Sequence, residues 1–206
     1  MNINKYIKHT PSFTYIIDKY FKSVSIDHIA HRSLSMNSIV NNYTNKGFVK
    51  KSDIYTFPRF NVQATWLQKA QNDNLRVFVS EYNQPNIPDI NSYRDFVNLS
   101  YHNQYLAWTI LHKHDINHMA ITVQDIEKFF SIIKKDSNCK IATDIQISRD
   151  GNLKQFSLQA DKIPYKFADN TIFNVPYTFV EFIERLNGRE GFESENADKI
   201  FDSTKK

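Results

Sequence analysis

Two histidines and one carboxylate, far apart in this sequence, lie in segments that alternate in character. The segments are Asp27-His28-Ile29-Ala30-His31-Arg32, Asn117-His118-Met119-Ala120-Ile121-Thr122-Val123 and Phe179-Val180-Glu181-Phe182-Ile183-Glu184-Arg185. In a β-strand alternate residues share a face. His28, Ala30 and Arg32 therefore belong together, as do His118, Ala120 and Thr122, and Phe179, Glu181, Ile183 and Arg185. Two imidazoles and a carboxylate pointing inward from neighbouring strands would hold a divalent metal on one side and leave other positions open for substrate and dioxygen. Glu181 is the most informative of the three, because burying a lone carboxylate among apolar residues is costly and a bound cation offsets that cost. The residues alone leave other readings open. Glu181 could face water on an edge strand or pair with an arginine, and each histidine could be a hydrogen-bonded structural residue.

Other chemistry-bearing residues carry less. His112 and His114 flank Lys113 and read as solvated or as support for the second histidine strand; His9 and His102 belong to no constellation. Phe13, Tyr15, Tyr20 and Phe21 form a stripe at helical spacing that suits a core. There is no glycine-rich phosphate loop, no GxSxG and no CxxC. The single cysteine, Cys139, excludes an internal disulfide framework and a cysteine-cluster zinc site.

The elements that position such residues can be read along the chain. Its 206 residues suit one domain, or one domain of two similar halves, and 16 Phe, 11 Tyr and 2 Trp supply a bulky core. The 26 basic and 22 acidic residues give a net charge of +4 without a basic stripe, which argues against a nucleic-acid partner. No apolar run is long enough for a membrane span, and no apolar segment follows the N-terminal lysines as a secretory signal requires. A soluble cytoplasmic protein is expected.

Spacing predicts helices over residues 12–22, 36–44, 93–112 (as one or two) and 126–135. Strands are predicted over 25–34, 54–60, 61–67, 75–80, 118–123, 141–148, 153–160, 163–167 and 178–185, and a short closing helix or turn over 198–201. Each half thus runs strand, helix, then further strands. Two copies of a βαβββ unit predict an α+β fold of the vicinal-oxygen-chelate type, in which paired units curl a half-barrel sheet around a metal pocket. A generic α+β sheet domain fits the same pattern, and the repeat is one of element order, without sequence identity between the halves.

The tail adds a resemblance. Gly191-Phe192-Glu193-Ser194-Glu195-Asn196-Ala197-Asp198-Lys199-Ile200-Phe201-Asp202-Ser203-Thr204 resembles the closing GF…ADKIFEST string of the 2-oxoadipate dioxygenase/decarboxylase family. His28 with Arg32 four residues later resembles the family's first metal motif, and Val77-Phe78-Val79-Ser80-Glu81 its VFISE strand. Leu106-Ala107-Trp108 leading to Asn117-His118 is similar to AW…NHFTV. Gln155, Ser157, Ala160, Asp161, Phe167, Ala168 and Asp169 are similar to QxS…AD…FADG, and 177–185 to YYEFAxR, which puts Glu181 rather than Glu184 at the ligand position. The chain looks shorter than typical members, His31 stands where an apolar residue is usual, and Ile147 stands where a glycine is expected beside Ser148.

The resemblance implies that residues 1–206 form a single domain binding Fe(II) through His28, His118 and Glu181. It implies a small-molecule 2-oxo acid and O2 as reactants, with a 2-hydroxy acid and CO2 as products. Arg32 would anchor a substrate carboxylate through a planar two-bond contact, and Ser80, Gln155 and Ser157 would offer hydrogen bonds to substrate or ligands. The tail would cover the metal pocket. Two other readings suit the same fold: a lyase, isomerase or hydrolase on an inert metal centre, and a small-molecule-binding relative without catalysis.

Overall fold

The computed structural model describes residues 10–51, 54–58, 61–69, 75–83, 86–113 and 115–191. The tail from Phe192, with the predicted closing helix and the pocket cover, lies outside these residues, as do His9 and His114. The chain divides into two compact units. One takes His28–Asn117 and Lys162–Tyr177; the other takes the residues up to Asp27, His118–Asp161 and the residues from Thr178.

In the first of these units, β1 (Ile26–Ser33) leads into α2 (Met36–Thr44), then β2 (Phe48–Lys50), β3 (Tyr55–Phe57), β4 (Val62–Lys69) and β5 (Arg76–Tyr82). The α1 helix (Pro11–Tyr20) precedes them and belongs to the other unit. The strands lie in the order β2-β4-β5-β1. β1 pairs β5 in parallel, and β4 is antiparallel to both β5 and β2. Period two then sorts the side chains. Ile29, His31, Val77, Val79 and Leu67 take the face covered by α2, where Met36, Ile39, Tyr43 and Phe48 complete a buried cluster. His28, Ala30, Arg32, Phe78, Ser80 and Trp66 take the opposite face.

A long helix, α3 (Tyr93–His112), follows β5. Ser92 caps it, accepting from Asp95 N–H while the Asp95 carboxylate accepts from Ser92 N–H. Asn103 is non-helical, and its side chain accepts from Leu106 N–H at 3.0 Å, so the helix breaks and restarts there. The other unit contributes β6 (Ile116–Thr122, from His118), α4 (Ile126–Ile133), β7 (Gln146–Ile147) and β8 (Leu153–Ser157). A hairpin of β9 (Lys162–Lys166) and β10 (Ile172–Pro176) packs with α3 around Phe96, Ala107, Leu111, Phe167 and Val175. β11 (Phe179–Arg185) closes the series.

The second unit repeats the first. Its strand order is β6-β11-β8-β7, with β6 parallel to β11, and β8 antiparallel to both β11 and β7. Helix α4 carries Ile126, Phe129, Phe130 and Ile133 at helical spacing and covers one face. Phe129 meets Phe182 at 4.9 Å between ring centroids, and Phe130 meets Phe156 at 4.9 Å. The other face carries His118, Ala120, Glu181, Ile183, Gln155 and Ser157. Helix α1 docks through Asp136, which accepts from Tyr15, Tyr20 and Lys19, and through Asp161, which accepts from Ser12.

The predicted α+β pairing of βαβββ units is the architecture found, with three corrections to its elements. The strand expected over 141–148 shortens to Gln146–Ile147 plus an isolated bridge from Ile141 to Leu158. Thr143 Oγ1 takes the Ser157 N–H at 2.9 Å, so a side chain replaces the ladder there. β2 and β10 were not expected: β2 is three residues fixed by pairing with β4, and β10 ends on Pro176, a residue that argues against strands. A two-stranded hairpin is all edge, and edges tolerate proline. The halves also share more than element order: Ile26-Asp27-His28-Ile29-Ala30 and Ile116-Asn117-His118-Met119-Ala120 both read I-x-H-x-A.

Candidate metal centre

The repeat puts a histidine at the third residue of the first strand of each unit, His28 in β1 and His118 in β6. Register distinguishes the units at the neighbouring strand. Ala120 faces Glu181 across β6 and β11, whereas Ala30 faces Phe78 across β1 and β5. One unit therefore offers a carboxylate where the other offers an aromatic ring. His28, His118 and Glu181 each present one ligand atom, and these atoms all lie within 4.8 Å of one another.

The surroundings orient each group. Glu181 is 1% exposed, and its Oε2 lies 3.2 Å from His118 Nε2. The His118 ring stacks on Phe179 at 4.7 Å, and the His28 and Trp66 rings meet in a T-shaped contact at 5.5 Å. Aromatic walls of this kind restrict ring rotation and keep water from the donor atoms. Two imidazoles with one carboxylate, and no thiolate among them, fit a first-row divalent metal with open positions. Cys139 lies elsewhere, its thiol pushed up to about 11 mainly by burial.

Arg32 follows His28 by four residues, about 13 Å along β1. It is 4% exposed, with its guanidinium 4.8 Å from the Tyr105 ring and 5.7 Å from the Trp108 ring. Burial lowers its pKa to about 10, which leaves it charged at neutral pH. Burial likewise pushes Tyr105 up to about 12, so its hydroxyl keeps its proton. Ser80, level with Arg32, accepts from Tyr105 Oη at 2.9 Å and donates to the His31 carbonyl at 3.0 Å. Its one proton is thus committed within the protein. Ser157 lies level with Glu181, and Gln155 two residues away on the same face.

Some neighbours have other duties. His31, three residues after His28, falls on the α2 face and bonds Tyr43 Oη at 2.9 Å. Glu184 accepts from Asp125 N–H at 2.7 Å, at the start of α4. His112 bonds the Pro176 carbonyl at 2.9 Å, and burial first of all lowers its pKa to about 4. Sequence reading did not single out Tyr105 or Trp108 as walls of Arg32, since both reside on a distant helix. Nor did it pair Asp27 with Arg185, a buried two-bond contact at 2.7 and 2.9 Å.

Fold and cluster together define the class: paired βαβββ units that supply two imidazoles and a carboxylate. A Ralstonia eutropha protein of the glyoxalase superfamily shares the fold, at TM-score 0.74 and 16% identity over 91% of this chain and 81% of that one. So does the hydroxyglutarate synthase of Oryza sativa crystallised with 2-oxoadipate, at TM-score 0.85 and 24% identity over 98% of this chain and 89% of that one.

The chain belongs to the 2-oxoadipate dioxygenase/decarboxylase family, whose profile matches residues 69–188, more than half of it. That span contains His118, Gln155, Ser157 and Glu181; His28 and Arg32 precede it. The chloroplastic 2-oxoadipate dioxygenase/decarboxylase of Arabidopsis thaliana is 33% identical over 53% of this chain. The chloroplastic/amyloplastic enzyme of Oryza sativa is 26% identical over 88% of it. The matched regions span 36% of the Arabidopsis protein and 69% of the rice protein.

Proposed function

We propose that this chain is an Fe(II)-dependent dioxygenase/decarboxylase acting, as one catalytic domain, on a 2-oxo dicarboxylic acid of the 2-oxoadipate type. With O2 it yields a 2-hydroxy acid one carbon shorter, as 2-hydroxyglutarate is to 2-oxoadipate, and CO2. The observation that carries this reading is the gathering of His28, His118 and Glu181 within 4.8 Å, in a chain of this family. These three residues would hold the iron, which when bound supplies the redox chemistry of dioxygen and a chelation point for the keto acid.

The protein's own part is positioning and charge. Arg32, charged and held between aromatic faces, would anchor a carboxylate of the substrate by two parallel hydrogen bonds. Trp66, Phe78 and Phe179 would exclude water around the donor atoms, which strengthens every charge interaction inside. Gln155 and Ser157 would offer hydrogen bonds to the substrate and the metal-bound groups, while Ser80, its proton on the His31 carbonyl, would hold the Tyr105 hydroxyl beside Arg32.

The test is oxygen uptake by Fe(II)-loaded protein on addition of 2-oxoadipate, with CO2 and 2-hydroxyglutarate measured together. The reading predicts one O2 consumed per CO2 released. Turnover of an acid without oxygen uptake would instead identify a metal centre that polarises a carbonyl.

A further inference from the structure

The sheet face that carries Glu181 also carries a side-chain amide that its described neighbours do not satisfy. Gln155 is 0% exposed, yet neither its amide nitrogen nor its amide oxygen meets a hydrogen-bond partner. Register places Gln155 level with Ile183, and Ser157 level with Glu181, so the amide and the carboxylate share a face. Ala120, Leu153 and Ile183 form a buried apolar cluster on that face and supply no side-chain polar partner. A carboxamide has two donors and an acceptor, and burying them unused is penalised. Leucine or methionine would fill the space without that penalty.

Resting on the reading above, we propose that Gln155 is a specificity-determining residue, whose amide N–H binds the carboxylate at the end of the 2-oxo acid remote from the metal. It stands two residues along the sheet from Glu181, about 7 Å, and one strand over. That offset is comparable with the reach of an extended six-carbon 2-oxo dicarboxylate from its chelating end. The apolar cluster suits the intervening methylenes. An amide recognises the far carboxylate without placing another charge in the core.

The experiment compares wild type with Gln155→Leu and Gln155→Asn, using 2-oxoadipate and the monocarboxylate of equal length, 2-oxohexanoate. Two quantities are read: KM for each acid, and the rise in Tm that each acid produces under anaerobic conditions with metal present. In Gln155→Leu the KM for 2-oxoadipate should rise about tenfold or more relative to that for 2-oxohexanoate, as expected for losing a hydrogen bond to a charged group. The Tm rise given by 2-oxoadipate should shrink selectively, and ligand-free Tm should not fall. Gln155→Asn should lie between.

Equal shifts for both acids, or a lower ligand-free Tm with the KM ratio intact, would overturn the proposal and mark an amide that only binds internal water. If Gln155→Leu fails to fold, Gln155→Met carries the same comparison. A wild type that consumes no oxygen with either acid overturns the enzymatic reading alone. The Tm comparison still decides Gln155, since a rise kept in full by the variant, or absent from wild type, contradicts it.

Discussion

His28 and His31 stand three residues apart in one strand, and the odd spacing sends them to opposite faces. His28 joins the donor cluster, whereas His31 is bonded to Tyr43 beneath a helix. Their environments predict different losses. Tyr43→Phe should cost about 1 kcal/mol of stability by removing a buried hydrogen bond, read by denaturant unfolding, with metal content unchanged. Arg32→Ala should reduce turnover of 2-oxoadipate by about a hundredfold or more while metal content stays near that of wild type. Arg32→Lys should recover little, because an ammonium cannot make the paired planar contact. Metal loss in Arg32→Ala would make the arginine part of the metal framework instead. His112 adds a pH dependence. Its pKa falls from 6.5 to about 4 because the ring is buried, so the unfolded chain binds the proton more tightly. The stability it contributes is present above about pH 6.5 and is lost as pH falls toward 4. His112→Gln should flatten the slope of stability against pH in that window. Alternation was enough to assign the faces of His28, His118 and Glu181 from sequence. It could not reveal Tyr105 and Trp108 around Arg32, because that contact joins a strand to a helix some 70 residues away.

At the scale of elements, the long periodic segments were legible and the short ones were not. Helix α4 declares itself through Ile126, Phe129, Phe130 and Ile133, and β11 through its apolar run around Glu181. β7 is two residues long and is fixed by pairing with β8, not by its own pattern. The β9-β10 hairpin was half visible: β9 was expected despite Pro164, whereas β10, ending on Pro176, is fixed by its pairing with β9. The I-x-H-x-A repeat lay open in the sequence, but is too short to stand out before register shows that both copies begin equivalent strands. The aromatic layer between α4 and its sheet supports the opposite face at a distance. Phe182 is fully buried there, against Phe129 and Phe156. Phe182→Ala should cost about 3–5 kcal/mol, seen as a lower denaturation midpoint. Because Phe182 points away from Glu181, the folded variant should still bind metal; weakened metal binding in folded protein would show the two faces to be coupled.

For the molecule as a whole, the repeated topology accounts for the donor set. Two units of one topology each carry a histidine at the same strand position, and at the matching neighbour one carries Glu181 and the other Phe78. Three protein donors on one metal would leave its other positions open for further ligands. The central claim, that His28, His118 and Glu181 hold one iron, is tested most directly by metal content. Protein purified without chelator, loaded anaerobically with Fe(II) and desalted, should retain one iron per chain. His28→Ala, His118→Ala and Glu181→Gln should each retain little, while remaining folded by circular dichroism. Wild type without bound iron, or any of these folded variants with a full complement, would contradict the account.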